Sequence, residues 1–233
     1  MSTPRTLRKQ EADAGAASRT PAERPPGSTA WAFIPERPTL PALAKAAQAC
    51  TACDLYQRAT QAVMGAGPAG ARLMLVGEQP GDKEDLAGQP FVGPAGRLLD
   101  ELLEAAGIGR REVYLTNAVK HFKWEPRGKV RLHQKPTLRE VTACRPWLET
   151  EISLVRPQGI VCLGATAYQA LRGSQARLTR ERGQFFDTPW GSWLTATFHP
   201  AAVLRMPDAA KRREARAQLQ HDLERVARRL AAA

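Results

Sequence analysis

The feature that most constrains this chain is a set of three short apolar runs: RLMLVGE at 72–78, EVYLTN at 112–117 and GIVCLG at 159–164. Each is continuous rather than alternating, so each reads as a strand buried on both faces, the kind found in parallel sheets covered by helices. The segments between them are helical. RLLDELLEAAGI puts leucines 98, 99, 102 and 103 on one face and stops at Gly107, while Thr137-x-x-Glu140 after Pro136 is a capping box that starts a helix running to about Val155. Beyond the third run, ATAYQALRG predicts a short helix, and GQFFDT and SWLTATF predict strands, the second ending at His199-Pro200. A final helix follows Asp208, with Leu219, Leu223, Val226 and Leu230 at helical spacing. Alternation of strand and helix without an internal repeat predicts an α/β fold, a parallel sheet between helices. Ligands of such sheets bind at the carboxyl ends of the strands, which directs attention to the loops after each run.

Residues 1–38, rich in Ala, Pro, Ser, Arg and Glu without a hydrophobic period, predict a disordered N-terminal extension, and 39–233 one domain whose structure starts near Leu40. LPALAKAAQAC then reads as a helix that delivers Cys50 and Cys53. No apolar run approaches the roughly 18 residues that cross a bilayer, and no apolar segment of a secretory signal follows MSTPRTLRKQ, so the expectation is a cytoplasmic protein with no membrane partner.

The charge pattern points to a polyanion. A formal net charge of +11 is concentrated between Lys120 and Arg145, where eight basic residues face two acids. The four cysteines, Cys50, Cys53, Cys144 and Cys162, should remain reduced in the cytoplasm, which favours a thiolate site over disulfides. Only Cys50-x2-Cys53 has tight ligand spacing, and spacing alone leaves zinc, an iron-sulfur cluster and a simple buried Cys162 all open.

Three strand-end elements carry the candidate chemistry. Gly77-Glu78-Gln79-Pro80-Gly81-Asp82 follows the first run and is neither a dinucleotide fingerprint nor a P-loop. Phe91, farther along this Gly/Pro-rich loop, offers an aromatic face for a base, and Asn117 ends the second run with an amide able to read the edge of a flipped pyrimidine. Phe198-His199-Pro200-Ala201-Ala202 brings a histidine to the start of a helix.

These residues resemble the uracil-DNA glycosylase superfamily, within it the iron-sulfur family 4 enzymes and their UdgX-type branch. The resemblance runs from about Cys50 to Leu230 and rests on Cys50-x2-Cys53, GEQPG at 77–81, Gly88-Gln89-Pro90-Phe91-Val92-Gly93, Leu115-Thr116-Asn117, Cys144, Cys162 and His199-Pro200-Ala201-Ala202. It implies a three-layer α/β/α sandwich around a four-stranded parallel sheet, a 4Fe-4S cluster on all four cysteines, and excision of uracil from DNA by a monomer, with single-stranded DNA preferred. It also implies that Phe91 stacks on uracil, that Gln79 and Asn117 hydrogen-bond it, and that His199 stabilises charge developing on the base. Lys129, Arg131, Lys135 and Arg205 would contact DNA, and Asp82 would join the catalytic group.

Two features resemble the UdgX-type branch in particular: Gln79, where ordinary family 4 members carry Ala, and an extended loop ending Lys129-Val130-Arg131-Leu132-His133, where the branch reads Lys-Arg-Arg-Ile-His. Val130 departs from that pattern by removing a guanidinium. The branch implies that His133, neutral and oriented by Glu78, captures C1' of the sugar after uracil leaves, so that the enzyme is consumed. A multiple-turnover family 4 enzyme and a non-catalytic iron-sulfur DNA-binding module are the alternatives.

Overall fold

A computed structural model describes residues 29–232. In chain order it contains α1 (Leu40–Ala47), β1 (Leu73–Gly77), α2 (Asp82–Ala87), α3 (Pro94–Ala105), β2 (Val113–Asn117), β3 (Trp124–Arg127), β4 (Val130–His133), α4 (Leu138–Val155), β5 (Gly159–Leu163), α5 (Ala165–Arg172), α6 (Leu178–Glu181), β6 (Phe186–Asp187), β7 (Trp193–Thr197), α7 (Pro200–Leu204) and α8 (Ala209–Ala231). The three apolar runs become β1, β2 and β5, every residue of which is buried.

The main sheet has the order β2-β1-β5-β7-β6, and its first four strands are parallel. The expected four-stranded parallel sheet is therefore present, but β6 adds a fifth, antiparallel edge strand. Only Phe186 and Asp187 of GQFFDT pair, so the aromatic segment extends the sheet by a strand of two residues.

Alternate side chains of the strands feed two cores. Met74, Val76, Tyr114, Ile160 and Cys162 face a layer that includes α1, α4 and α5; Leu73, Leu75, Val113, Val161 and Leu163 face α3, α7 and α8. This is the three-layer sandwich expected from the sequence. The capping box is also present: Glu140 N donates to Thr137 Oγ1, and Thr137 N donates to Glu140 Oε2, fixing the start of α4.

Three expectations need correction. Folded structure begins before Leu40, because a 3-10 turn at Ala30–Phe33 buries Ala30 completely and packs Phe33 and Ile34 on the core; the rest of the expected extension, 1–28, lies outside the described residues. α1 ends at Ala47, so both Cys50 and Cys53 lie beyond it. The basic stretch after β2 is not a loop but a two-stranded antiparallel hairpin, β3–β4, in which Trp124 pairs with His133.

Candidate active site

Parallel strands bring Glu78, Asn117, Gly164 and His199 to one edge of the sheet, around a cavity of about 670 Å3. At its floor lies Asn117, 1% exposed, with neither Nδ2 nor Oδ1 bonded to any described residue. A buried amide without partners is costly unless a ligand completes it. Gly77 makes room for it, since a Cβ there would meet Asn117 Oδ1 at 2.3 Å and Phe91 Cζ at 2.7 Å. Phe91 has a left-handed backbone (φ 57°), and its ring stacks toward His199 with centroids 6.2 Å apart and planes at 24°. Gly96 lets α3 pass against this bend, where a Cβ would come within 1.7 Å of Phe91 O. Glu84 holds the same segment by accepting from Gly93 N at 2.7 Å and from Gly81 N at 3.1 Å.

His199 is the N-cap of α7, and its Nδ1 accepts from Ala201 N at 3.1 Å. With that nitrogen occupied as an acceptor, the neutral ring carries its proton on Nε2, which is then a donor. Burial, reinforced by the charges of Arg205 and His133, lowers its pKa to about 4, so the neutral form persists through physiological pH.

The hairpin forms the opposite wall. His133 Nε2 stands 3.4 Å from Glu78 Oε1. Burial lowers the His133 pKa, Glu78 opposes that shift, and Arg205 adds to it. Gln79 fastens both strands of the hairpin: its Nε2 donates to Gln134 O (2.9 Å) and Lys123 O (3.3 Å), and its Oε1 accepts from Lys123 N (3.0 Å). Both of its amide protons thus go to backbone carbonyls flanking the hairpin, at the wall of the cavity where a uracil contact was expected of this side chain.

Arg131, expected at the DNA, reaches into the sheet-end loop. Instead of facing outward for DNA, its Nε donates to Asp82 Oδ1 (2.5 Å), its Nη1 to the fully buried Asp85 (2.6 Å) and its Nη2 to Asp82 O (3.2 Å). Its guanidinium carbon also lies 5.4 Å and 5.5 Å from the ring centroids of Phe122 and Trp124. Asp82, expected among the catalytic residues, grips this guanidinium. Lys129, Lys135 and Arg205 are exposed, the last two lining the cavity, and Val130 is 64% exposed, so its missing guanidinium costs no internal contact.

Behind the site is a buried network built on Lys120, which the sequence counts in the basic stretch that points to a polyanion. Lys120 Nζ donates to Glu151 Oε2 (2.6 Å), Thr116 Oγ1 (2.7 Å) and Asn117 O (2.7 Å), and Glu151 Oε1 accepts from Tyr114 OH (3.0 Å) and Gly65 N (2.7 Å). Every proton of the ammonium is matched, so the pair is tolerated in the core and holds the backbone of Asn117. Its signal in the sequence was an acid, Glu151, on the buried face of α4 between Cys144, Leu148 and Val155.

Lys120 also approaches the cysteines, its N donating to Cys144 Sγ at 3.2 Å, and Trp147 Nε1 donates to Cys50 Sγ at 3.3 Å. Burial raises the Cys144 thiol pKa; the Lys120 charge opposes this, and nearby Cys53 and Cys50 add to it. Cys162 lies in the same core. Four soft sulfurs, two of them already receiving N–H donors, suit a thiolate-bound cluster in kind. Among the described residues no three His, Cys, Asp or Glu side chains close into a ready metal group.

Fold and site together define an α/β protein with a strand-end pocket that presents an unpartnered amide and a neutral imidazole to a planar polar ligand, beside a basic hairpin. Residues 64–224 match the family described as Uracil DNA glycosylase superfamily, and the chain belongs to it. It is 41% identical over 157 residues to a Type-4 uracil-DNA glycosylase of Thermotoga maritima, covering 67% of this chain and 78% of that protein. A Type-4 uracil-DNA glycosylase of Archaeoglobus fulgidus is 38% identical over 165 residues (68% and 79%). A Type-5 uracil-DNA glycosylase of Thermus thermophilus is 31% identical over 156 residues (59% and 68%).

Proposed function

We propose that this protein excises uracil from DNA and then becomes covalently linked through His133 to C1' of the sugar. Excision is supported by the family and by the relatives' names; the link rests on one observation, His133 Nε2 held 3.4 Å from Glu78 Oε1 in the pocket wall.

A flipped deoxyuridine, its flipping costing a few kcal/mol, places uracil against Phe91 with its edge on the Asn117 amide. The neutral Nε2–H of His199 meets negative charge developing on the base, as a fixed donor aimed at where charge appears. The C1'–N1 bond breaks, and its electron pair leaves with uracil. A lone pair of the His133 ring then forms the C1'–N bond, and the ring proton passes to Glu78. The lowered His133 pKa supplies the neutral nucleophile, and proximity gives it an advantage over water. Exposed Lys129, Lys135 and Arg205 meet phosphates, single-stranded DNA being preferred because its base is already unpaired. Cys50, Cys53, Cys144 and Cys162 would hold a 4Fe-4S cluster, whose contribution is to tie the 50–53 segment, α4 and β5 together.

Incubation with uracil-containing single-stranded DNA and boiling in detergent should give a shifted protein–DNA band that His133→Ser abolishes while uracil release continues. An alkali-labile abasic site without a shifted band would instead identify a turnover enzyme, the reading favoured by the relatives' Type-4 names. Neither product would indicate a DNA-binding module.

A further inference from the structure

Glu78 is held by more than His133. It leaves β1 beside the exit of β5, since Val76 lies opposite Cys162 in the parallel pair. Gly164, with φ of 92°, turns the β5 exit sharply into α5, whose second residue is Thr166, 5% exposed. The Thr166 hydroxyl donates a short hydrogen bond to Glu78 Oε2. The remaining oxygen, Oε1, is the one that faces His133.

We propose that Thr166 is a positioning residue for the covalent step, fixing the Glu78 carboxylate so that Oε1 receives the proton of the His133 ring. This rests on attachment through His133. A carboxylate on its own rotates about its last bond and exposes either oxygen; a hydroxyl committed to one oxygen selects the other. As the C1'–N bond forms from the imidazole lone pair and uracil leaves with the electrons of its own bond, the ring becomes cationic. Oε1 is where its proton goes. Arg205 and His199, at the two ends of α7, also face His133, and Asp82, Lys83, Glu84, Arg131 and Lys135 line the same cavity; none of them is hydrogen-bonded to the Glu78 carboxylate among the described residues. Thr166 touches neither base nor sugar in this scheme and acts only through Glu78.

The test uses the full chain and a uracil-containing single-stranded oligonucleotide, with the rate of detergent-resistant adduct as the readout. Thr166→Val, which keeps the shape and removes the hydroxyl, should slow adduct formation about 10-fold or more, the size of a lost hydrogen bond to a charged group. Thr166→Ser should restore the rate. In a Glu78→Gln background, Thr166→Val should produce no further loss, since a residue acting through Glu78 has nothing left to act on. Should Thr166→Val not fold, Thr166→Ala provides the same comparison. A wild-type rate in the folded variant, or an equal loss in the Glu78→Gln background, would overturn the inference alone. Uracil release by the wild type with no adduct would overturn the covalent reading, and this inference with it.

Discussion

Arg131→Met separates an anchoring guanidinium from a DNA-binding one. The substitution keeps an apolar stem near Phe122 and Trp124 but removes the charged donors to Asp82 and Asp85. Removing one partner of a buried ion pair costs about 3–5 kcal/mol when the other is left uncompensated. Here the cost is smaller, because Asp85 keeps Thr60 N and Thr60 Oγ1 as donors and the Arg131 side chain is 19% exposed. About 2–3 kcal/mol remains, equivalent to a fall of about 4–12 °C in Tm for a domain of this size. Because Arg131 and Gln79 tie the hairpin to the sheet-end loop, the loss should concentrate there. Hydrogen exchange should show β3 and β4 deprotected ahead of the main sheet, and adduct formation should slow as His133 loses its fixed distance from Glu78. Unchanged melting and unchanged hairpin protection, together with weaker binding to single-stranded DNA and a salt slope shallower by about 0.7, would refute this and return Arg131 to phosphate contact.

His121 is buried, and desolvation lowers its pKa to about 4, against a weaker opposing effect of Asp85. The unfolded chain therefore binds the extra proton between about pH 6.5 and 4, and stability falls as pH drops through that window, by up to about 3 kcal/mol; Tm measured against pH should lose part of this slope in His121→Phe. Four exposed cations of the hairpin region, Arg127, Lys129, Lys135 and Arg139, predict a log–log salt slope for non-covalent binding to single-stranded DNA of about −2.8, checked by titration with a His133→Ala variant. Purified protein should be brown, with thiolate-to-iron absorption that Cys144→Ser or Cys162→Ser bleaches; a colourless zinc protein would refute the cluster.

The elements legible in the sequence were those whose signal is local. The Thr137–Glu140 box fixes α4 within four residues, and continuous apolar runs mark β1, β2 and β5 because both faces of each strand are covered. From β1 and β2 the positions of Glu78 and Asn117 followed, and from the strand read in SWLTATF that of His199. The β3–β4 hairpin was not legible, since it contains Pro126 and Gly128 and leaves its apolar Val130 and Leu132 exposed. Its order comes from Gln79 and Arg131, whose partners lie more than forty residues away in sequence. For the same reason Lys120 reads as one more cation in a basic run, although Glu151 draws it into the core. α2 was hidden by its Gly/Pro-rich surroundings, yet an acid at its third position, Glu84, organises the loop on either side.

The bend at Phe91 bears on how this chain tolerates change. A non-glycine residue in the left-handed region costs about 1–3 kcal/mol and persists only where its surroundings impose it. Here the surroundings are the bare Cα of Gly96 and the Glu84 carboxylate on Gly93 N. The pose of the aromatic ring is therefore stored in backbone positions that never meet a nucleobase. A saturation map of this segment would be inverted with respect to chemistry: position 91 would accept other aromatic rings, while position 96 would reject even a methyl group. Drift in this lineage can exchange the tool more easily than the handle that holds it.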